Sequence, residues 1–560
     1  MSAKRGTSFE VQVLRDKHWT IAEVKTSEEQ AKAFADDLLQ KGNHEAVRVV
    51  RDYQRMDGLH TETVILEKTA DSKKTDLNVA AVTESPVCRE LADFYALESR
   101  LVIGRLFRSY LDEAILTPTE ILHTAKELKR LGDKDRLLFS GIDIVATLQQ
   151  RATGEDRRDF LQKAWDKIVA RARDAESRLP ADKAFAAILK AVPGEPGFDT
   201  DFRRNVLIAR HLMEARSWVG KLDLLLGWAA EPEAAKAMHL IDGVVAELML
   251  PAQMIQDLLG FQSNLGAALL TILDLADGKA GAAKWAPGAY EALNRLFAEN
   301  RLPQSRDVLL TRVIREMRGT NALSRNEPKQ EFEWFHKMLH RTVDHARVLG
   351  GGAMAEALVQ RYVRMFNLTD GKVAADAMQG LFMTLTDGCR RVQLTLALAE
   401  SPLAAVLGDE LPEALTAQVR SGRTIDWWVP VRVPPRDRMT AMTAVHKSVI
   451  SSAAFAEPLR TDLGNRIDEA LARYLLDEEV IEKIDKADDP LALRAIRLVK
   501  FCGSGVLIDG KSLDLARQRV IGHLRQSQFE QRFLASVPDP GQGEKHLREF
   551  HRILLQSGFK

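Results

Sequence analysis

The sequence predicts a mainly α-helical protein, in which a large multi-helix body follows a small α+β module of order ββαββ. Three observations lead there. Near the N-terminus apolar residues alternate, in Phe9, Val11, Val13 and again in Val47, Val49, and alternation places one face of a strand in a core. The period changes once, near residue 69. Beyond about residue 88 apolar residues recur every three to four positions almost to the C-terminus, which is the spacing of a helical stripe. Finally, 560 residues exceed the roughly 250–300 that one hydrophobic core supports. The expected organisation is a module over 1–68, a flexible linker over 69–87 and a helical body over 88–420. An extended Pro/Trp-containing connection over 421–439 and a C-terminal helical subdomain over 440–560 complete it.

Within the module, residues 8–24 read as two strands around a turn at Asp16-Lys17. Ser27 followed three residues later by Gln30 is a capping-box start for a helix whose apolar face is Ala31, Phe34, Ala35 and Leu38. Gly42-Asn43 stops that helix, because both residues tolerate the left-handed conformation. Strands over about 45–54 and 60–68 follow, joined through Asp57-Gly58. This order predicts an antiparallel sheet with one face under the helix. Glu10, Gln12 and Arg48 lie on the other face, which is expected to meet water or a partner. The linker, with Asp71-Ser72-Lys73-Lys74 and Ser85-Pro86, reads as a tether.

The body opens with one long helix expected from Val87 to Ile115, striped by Leu91, Phe94, Tyr95, Leu101, Leu106 and Tyr110. Thr117-Pro118-Thr119-Glu120 starts the next, with a capping box and proline in the first turn. Short punctuation such as Pro193-Gly194, Asp277-Gly278, Gly350-Gly351-Gly352 and Asp370-Gly371 recurs, so neighbouring helices are expected to run antiparallel. No fixed repeat period emerges, which favours an irregular helical array over a consensus repeat. Residues 421–437 carry three prolines and alternating valines and read as extended. Trp427 and Trp428 within them are partner-binding candidates if exposed, and a wedge between helices if not.

Composition narrows the chemistry. Lys plus Arg number 79 and Asp plus Glu number 79, so no global field favours nucleic acid or an anionic membrane. Cys88, Cys389 and Cys502 are far apart, which argues for a reducing compartment and against a thiolate zinc site. The start of the chain lacks the apolar core of a signal peptide. The most apolar stretch, about 236–276, is interrupted by Asp242, Glu247, Pro251, Asp257 and Asn264. No run reaches the roughly 18–20 apolar residues of a membrane span, and the expected location is cytoplasmic.

Four patterns bear on function. Gly505-Val506-Leu507-Ile508-Asp509-Gly510-Lys511-Ser512 matches the phosphate-cradling P-loop letter for letter. Its branched apolar interior, a preceding helical segment over Leu491–Phe501 and only 48 following residues point instead to a turn before a helix. Glu333, His336, His340 and Asp344 fall at helical spacing and are the metal-ligand candidates. Glu120 and His123 repeat the Glu-x-x-His pair of di-iron bundles, although Glu120 already serves the Thr117 cap. Near the C-terminus charge segregates. Residues 462–489 hold ten acidic and four basic side chains, and 490–532 hold eight basic and three acidic. Arg517 and Arg519 belong to that basic region, a candidate for phosphate backbones or an acidic partner, while the acidic segment beside it offers an internal one. No serine elbow or Cys/His pair at informative spacing is present.

The expectation is a non-catalytic cytoplasmic interaction or regulatory scaffold, with the ββαββ module as its recognition head, a protein partner and no cofactor. The alternatives are a metal-dependent enzyme using Glu333, His336 and His340, or a nucleic-acid-binding protein using the C-terminal basic region.

Overall fold

In the computed structural model, strand β1 (Thr7–Arg15) pairs antiparallel with both β2 (His18–Lys25) and β3 (Ala46–Gln54), and β3 pairs antiparallel with β4 (His60–Thr69). The sheet order is β2-β1-β3-β4. The structure describes residues 7–15, 18–40, 46–54, 60–69, 77–134, 136–179, 184–281, 286–324, 328–369, 371–537 and 540–559. The turns expected at Asp16-Lys17, Gly42-Asn43 and Asp57-Gly58, and the tether from Asp71 to Lys74, lie outside them. Helix α1 (Glu28–Gln40) covers one face of the sheet. Alternation explains the result: Phe9, Val11, Val13, Val47 and Val49 point to the same side and close a small core with Ala31, Phe34, Ala35 and Leu38.

Beyond the sheet the described elements are helical, and with α1 the described residues hold 29 α-helices. Two compact units are present, residues 1–182 with 191–214, and residues 183–190 with 215–560. In the first unit the core gathers Leu106, Tyr110, Leu111, Ile121, Leu122 and Leu128. The single helix expected over Val87–Ile115 is instead a 3-10 turn (Leu91–Tyr95) and two helices, Leu97–Leu106 and Arg108–Ala114. Local side-chain bonding competes with the helix there: the Asp93 carboxylate accepts from the Arg89 and Glu90 amides, and Ser99 Oγ donates to the Asp93 carbonyl. Residues 77–87, read as tether, are packed rather than free. The Asn78 amide donates to the Leu106 carbonyl, Val82 is buried, and Pro86 O accepts from Gln149 Nε2 at 2.7 Å. The capping box at Thr117 and Glu120 forms as expected, with Pro118 in the first turn.

In the second unit the helices stack in sequence. Met238–Leu248 packs on Pro303–Arg318, which packs on Gly351–Met365, then Gly388–Ala399, Pro435–Ser451, Glu457–Asp477 and Lys511–Leu524. This is the irregular array expected from the absence of a repeat. The 421–437 segment differs from its extended reading, because Ile425–Trp428 makes one helical turn and Pro435 opens the Pro435–Ser451 helix at its first position. Buried carboxylates from distant helices start several of these helices. Asp242 accepts from the Gln304 and Ser305 amides at 2.8 and 2.9 Å. No single helix among the described residues is long and apolar enough to cross a membrane. Met238–Leu248 and Ala252–Leu259 pass that test only as a pair, bent by 97° at the break.

Candidate interaction surface

The strand register assigns every residue of the face opposite α1. Val24, Glu10, Val50 and Val64 line up across the four strands, and the row of Ile21, Gln12, Arg48 and Glu67 lies beside it. Two bulges shape this face, one between Val11 and Gln12 against β2, the other between Val49 and Val50 against β4. Strict alternation would put Ile21 and Val24, three apart, on opposite sides; the bulge turns both to the open face. Ile21 is 55% exposed, Val24 52% and Val64 48%. The centre is knit by side chains: Arg48 Nε donates to Gln12 Oε1 at 2.8 Å, Gln12 Nε2 donates to Glu10 at 2.8 Å, and the Arg48 guanidinium lies 4.5 Å from the Trp19 ring. Among the described residues acidic groups outnumber this arginine on the face, where Asp52 stands opposite Glu62 and Arg48 faces Glu67. The arrangement is a half-apolar, acid-rimmed surface.

The metal-ligand candidates do not converge. Helix Pro328–Thr342 ends before Asp344, so the i+11 position is off the helix, and Asp344 lies 3.7 Å from Lys279 instead. Glu333 is exposed. His336 and His340 do meet, with ring centroids 4.3 Å apart, but a cation takes one ring nitrogen: Arg390 Nη1 donates to His340 Nδ1 at 2.6 Å. Burial, with the charges of Arg390 and His336, pushes His340 down to about 4, which keeps the ring neutral near pH 7. Among the described residues no group of three or more His, Cys, Asp or Glu side chains is placed to hold a metal ion. In the second Glu-x-x-His pair, Glu120 caps its own helix. His123, fully enclosed, bonds the Thr119 carbonyl at 2.7 Å, and burial pushes it to about 3.

Sequence reasoning missed the group that Arg390 joins. Asp387 caps helix Gly388–Ala399 by accepting from the Arg390 amide at 3.0 Å, and His345 Nε2 lies 3.5 Å from its other oxygen. Burial works to raise the Asp387 carboxyl, but His345, the amide bond and the Arg390 charge bring it below the ordinary carboxylate range. Asp387-Gly388 resembles any cap-and-turn pair in sequence; only the fold brings His345 to it.

The tryptophan pair is a wedge. Trp428 is fully buried, its Nε1 donating to the Gly422 carbonyl at 2.9 Å, while Trp427 packs on Gly388 where a Cβ would collide with its ring. Trp428 is therefore not a surface contact, because its ring fills the space over Gly422. The basic region is largely spoken for internally. Asp485, fully buried, accepts from Arg494 Nε at 2.7 Å, from Arg519 Nε and from His523 Nε2 at 2.9 Å. Arg517 lies 3.7 Å from Asp509, and Arg497 2.6 Å from Asp489. The P-loop look-alike is a turn into helix Lys511–Leu524, and the place of an anion at that helix start is filled by Asp468. Its carboxylate accepts from the Lys511 amide at 2.5 Å and the Ser512 amide at 3.0 Å.

Comparison of the chain with protein-family models, with curated proteins and with solved structures finds no match in any of the three.

Proposed function

We propose that the protein is a non-catalytic interaction scaffold, with the open sheet face of its N-terminal module as the recognition head. The observation that supports this is the exposure of Ile21, Val24 and Val64 together on one face, opposite the face that α1 closes. A sheet normally buries its apolar side chains against a second layer, and among the described residues α1 supplies that layer on the opposite side. The stacked helices of the second unit need no catalytic group to act as a frame. Three free and buried cysteines fit a reducing, cytoplasmic setting.

The test is affinity capture from the native host's lysate with the full chain and with an Ile21→Asp/Val24→Asp variant. Both positions are half exposed, so the variant keeps the fold, which a thermal melt verifies. A stoichiometric protein captured by the wild type and lost with the variant supports the reading. An unchanged set of captured proteins, or none in either sample, overturns it.

A further inference from the structure

We infer that the occupant of the open sheet face is an amphipathic helix with a basic flank, contributed by another protein; this rests on the recognition-head reading above. The shape of the apolar surface comes first. Trp19, Ile21 and Val24 run along edge strand β2 and Val64 stands on the opposite edge, while Glu10 and the buried Val50 lie between Val24 and Val64. Five residues of strand cover about 17 Å. A helix presents apolar side chains at i, i+4, i+7 and i+11 over a similar length, about 16 Å at 1.5 Å per residue. The opposite face of this sheet already accepts a helix, α1, on the same period-two pattern of apolar side chains. A second helix on the open face completes a three-layer arrangement.

Charge decides which helix. Among the described residues, Glu10, Glu62 and Glu67 point to the open side, and the cation there, Arg48, is tied to Gln12 and Trp19. Glu62 and Glu67 are exposed and sit on edge strand β4, flanking Val64. Lysines or arginines along one flank of a docked helix meet that acidic edge while its apolar side covers β2. The same sign disfavours the other occupants. A second copy placed face to face brings the acidic edges together, and a phosphate backbone or an anionic bilayer is repelled.

The probe is a labelled 18-residue peptide with leucines at helical a/d spacing and lysines elsewhere, titrated by fluorescence anisotropy against the full chain. A twin carrying glutamates in place of lysines is the control. The lysine peptide is expected to bind the wild type at least tenfold more tightly than the glutamate twin. It is expected to lose at least tenfold in Ile21→Asp/Val24→Asp, and again in Glu62→Lys/Glu67→Lys. In the charge-inverted variant the preference reverses, and the glutamate twin becomes the tighter ligand. Amide exchange in the wild type slows in β2 and β4 when the lysine peptide is bound.

Equal affinity of the lysine peptide for all variants places its binding elsewhere and overturns the inference. So does a glutamate peptide that binds the wild type as well as the lysine one. The two layers of argument separate cleanly. If Ile21→Asp/Val24→Asp abolishes capture of a lysate partner while Glu62→Lys/Glu67→Lys leaves both capture and peptide affinity unchanged, the recognition head stands and its basic partner falls. If neither variant changes capture or peptide binding, both fall.

Discussion

Replacing Asp468 by alanine tests the reading of the Gly505–Ser512 segment most directly. The Asp468 carboxylate receives two backbone amides, from Lys511 at 2.5 Å and Ser512 at 3.0 Å, at the start of a helix whose second residue, Ser512, is fully buried. Removing it strands both donors. The buried Ser512 amide left unsatisfied costs about 1–3 kcal/mol, the partly exposed Lys511 amide about 1 kcal/mol, and the loss of a charge at a helix N-terminus adds about 0.5 kcal/mol. Asp468→Ala is therefore expected to destabilise the second unit by about 3–4 kcal/mol. Asp468→Asn keeps one acceptor and turns an amide donor toward the other N–H, so it is expected to cost about half as much, roughly 1.5–2 kcal/mol.

Gly510 supplies an internal control. Its φ of 167° is ordinary extended backbone, so a side chain is excluded there only by space, and the atom that a Cβ would strike is Asp468 Oδ2. Gly510→Ala is thus expected to cost about 1–3 kcal/mol in the wild type and distinctly less in the Asp468→Ala background, where the colliding oxygen is gone. Urea unfolding followed by circular dichroism gives the stabilities. Amide exchange over residues 505–524 localises the effect, which a 560-residue chain requires because it does not unfold in one step. Asp468→Ala with unchanged exchange at Lys511 and Ser512, or additive costs for the two substitutions, refutes the reasoning.

Three further outcomes follow from the structure. Gly388→Ala drives a Cβ into the Trp427 ring and is expected to cost about 1–3 kcal/mol in denaturant unfolding, a cost that Trp427→Ala largely removes. Asp485→Asn leaves the side chains of Arg494, Arg519 and His523 around a neutral group and is expected to destabilise by about 3 kcal/mol at pH 7. The hydrogen bonds to Asp485 lower its carboxyl in the folded chain despite burial, so its stabilisation is complete above the unfolded value near 4 and fades as pH falls below it; the variant's deficit should shrink there. His340 runs the other way: its folded value of about 4 lies below the unfolded value of about 6.5, so the fold loses stability as pH drops from 6.5 toward 4. His340→Gln should flatten the stability–pH curve in that window, and an unchanged slope counts against the neutral, Arg390-bonded ring.

How far the sequence could be read depends on whether a pattern is local. The sheet face under α1 and its helical lid are encoded in strict alternation and in a 3.6-residue stripe, so Val11, Val47, Ala31 and Ala35 fall where the pattern puts them. The open face is different. Ile21 and Val24 share it because of a bulge, and a bulge leaves no mark in the hydrophobic period. The break at Ala96 is hidden for a related reason, since the Asp93 and Ser99 side chains that compete with the helix look like ordinary helix-surface residues. The Glu333–Asp344 spacing assumed a helix that continues, and the chain turns after Thr342 where Val343 bridges Val348. Asp468 acts on amides brought to it only by tertiary packing and Asp485 gathers side chains from later helices, while Asp387, a local helix cap, meets His345 only through the fold.

The carboxylates that start distant helices also set an order of events during synthesis. Asp242 and Asp468 leave the ribosome 62 and 43 residues ahead of the amides they receive. At roughly 5–20 residues per second, each waits about 2–12 s in water before its helix arrives. The helices beginning at Pro303 and Lys511 can then nucleate directly on a cap that is already in place. Helix Phe185–Ala191 has the reverse arrangement, because its amides emerge 45 and 46 residues before Glu231, the group that receives them. That helix must stay open, or be held by other means, until translation has moved past residue 231. A ribosome paused between these points therefore carries a nascent chain whose helix Phe185–Ala191 still lacks the acceptor of its first amides.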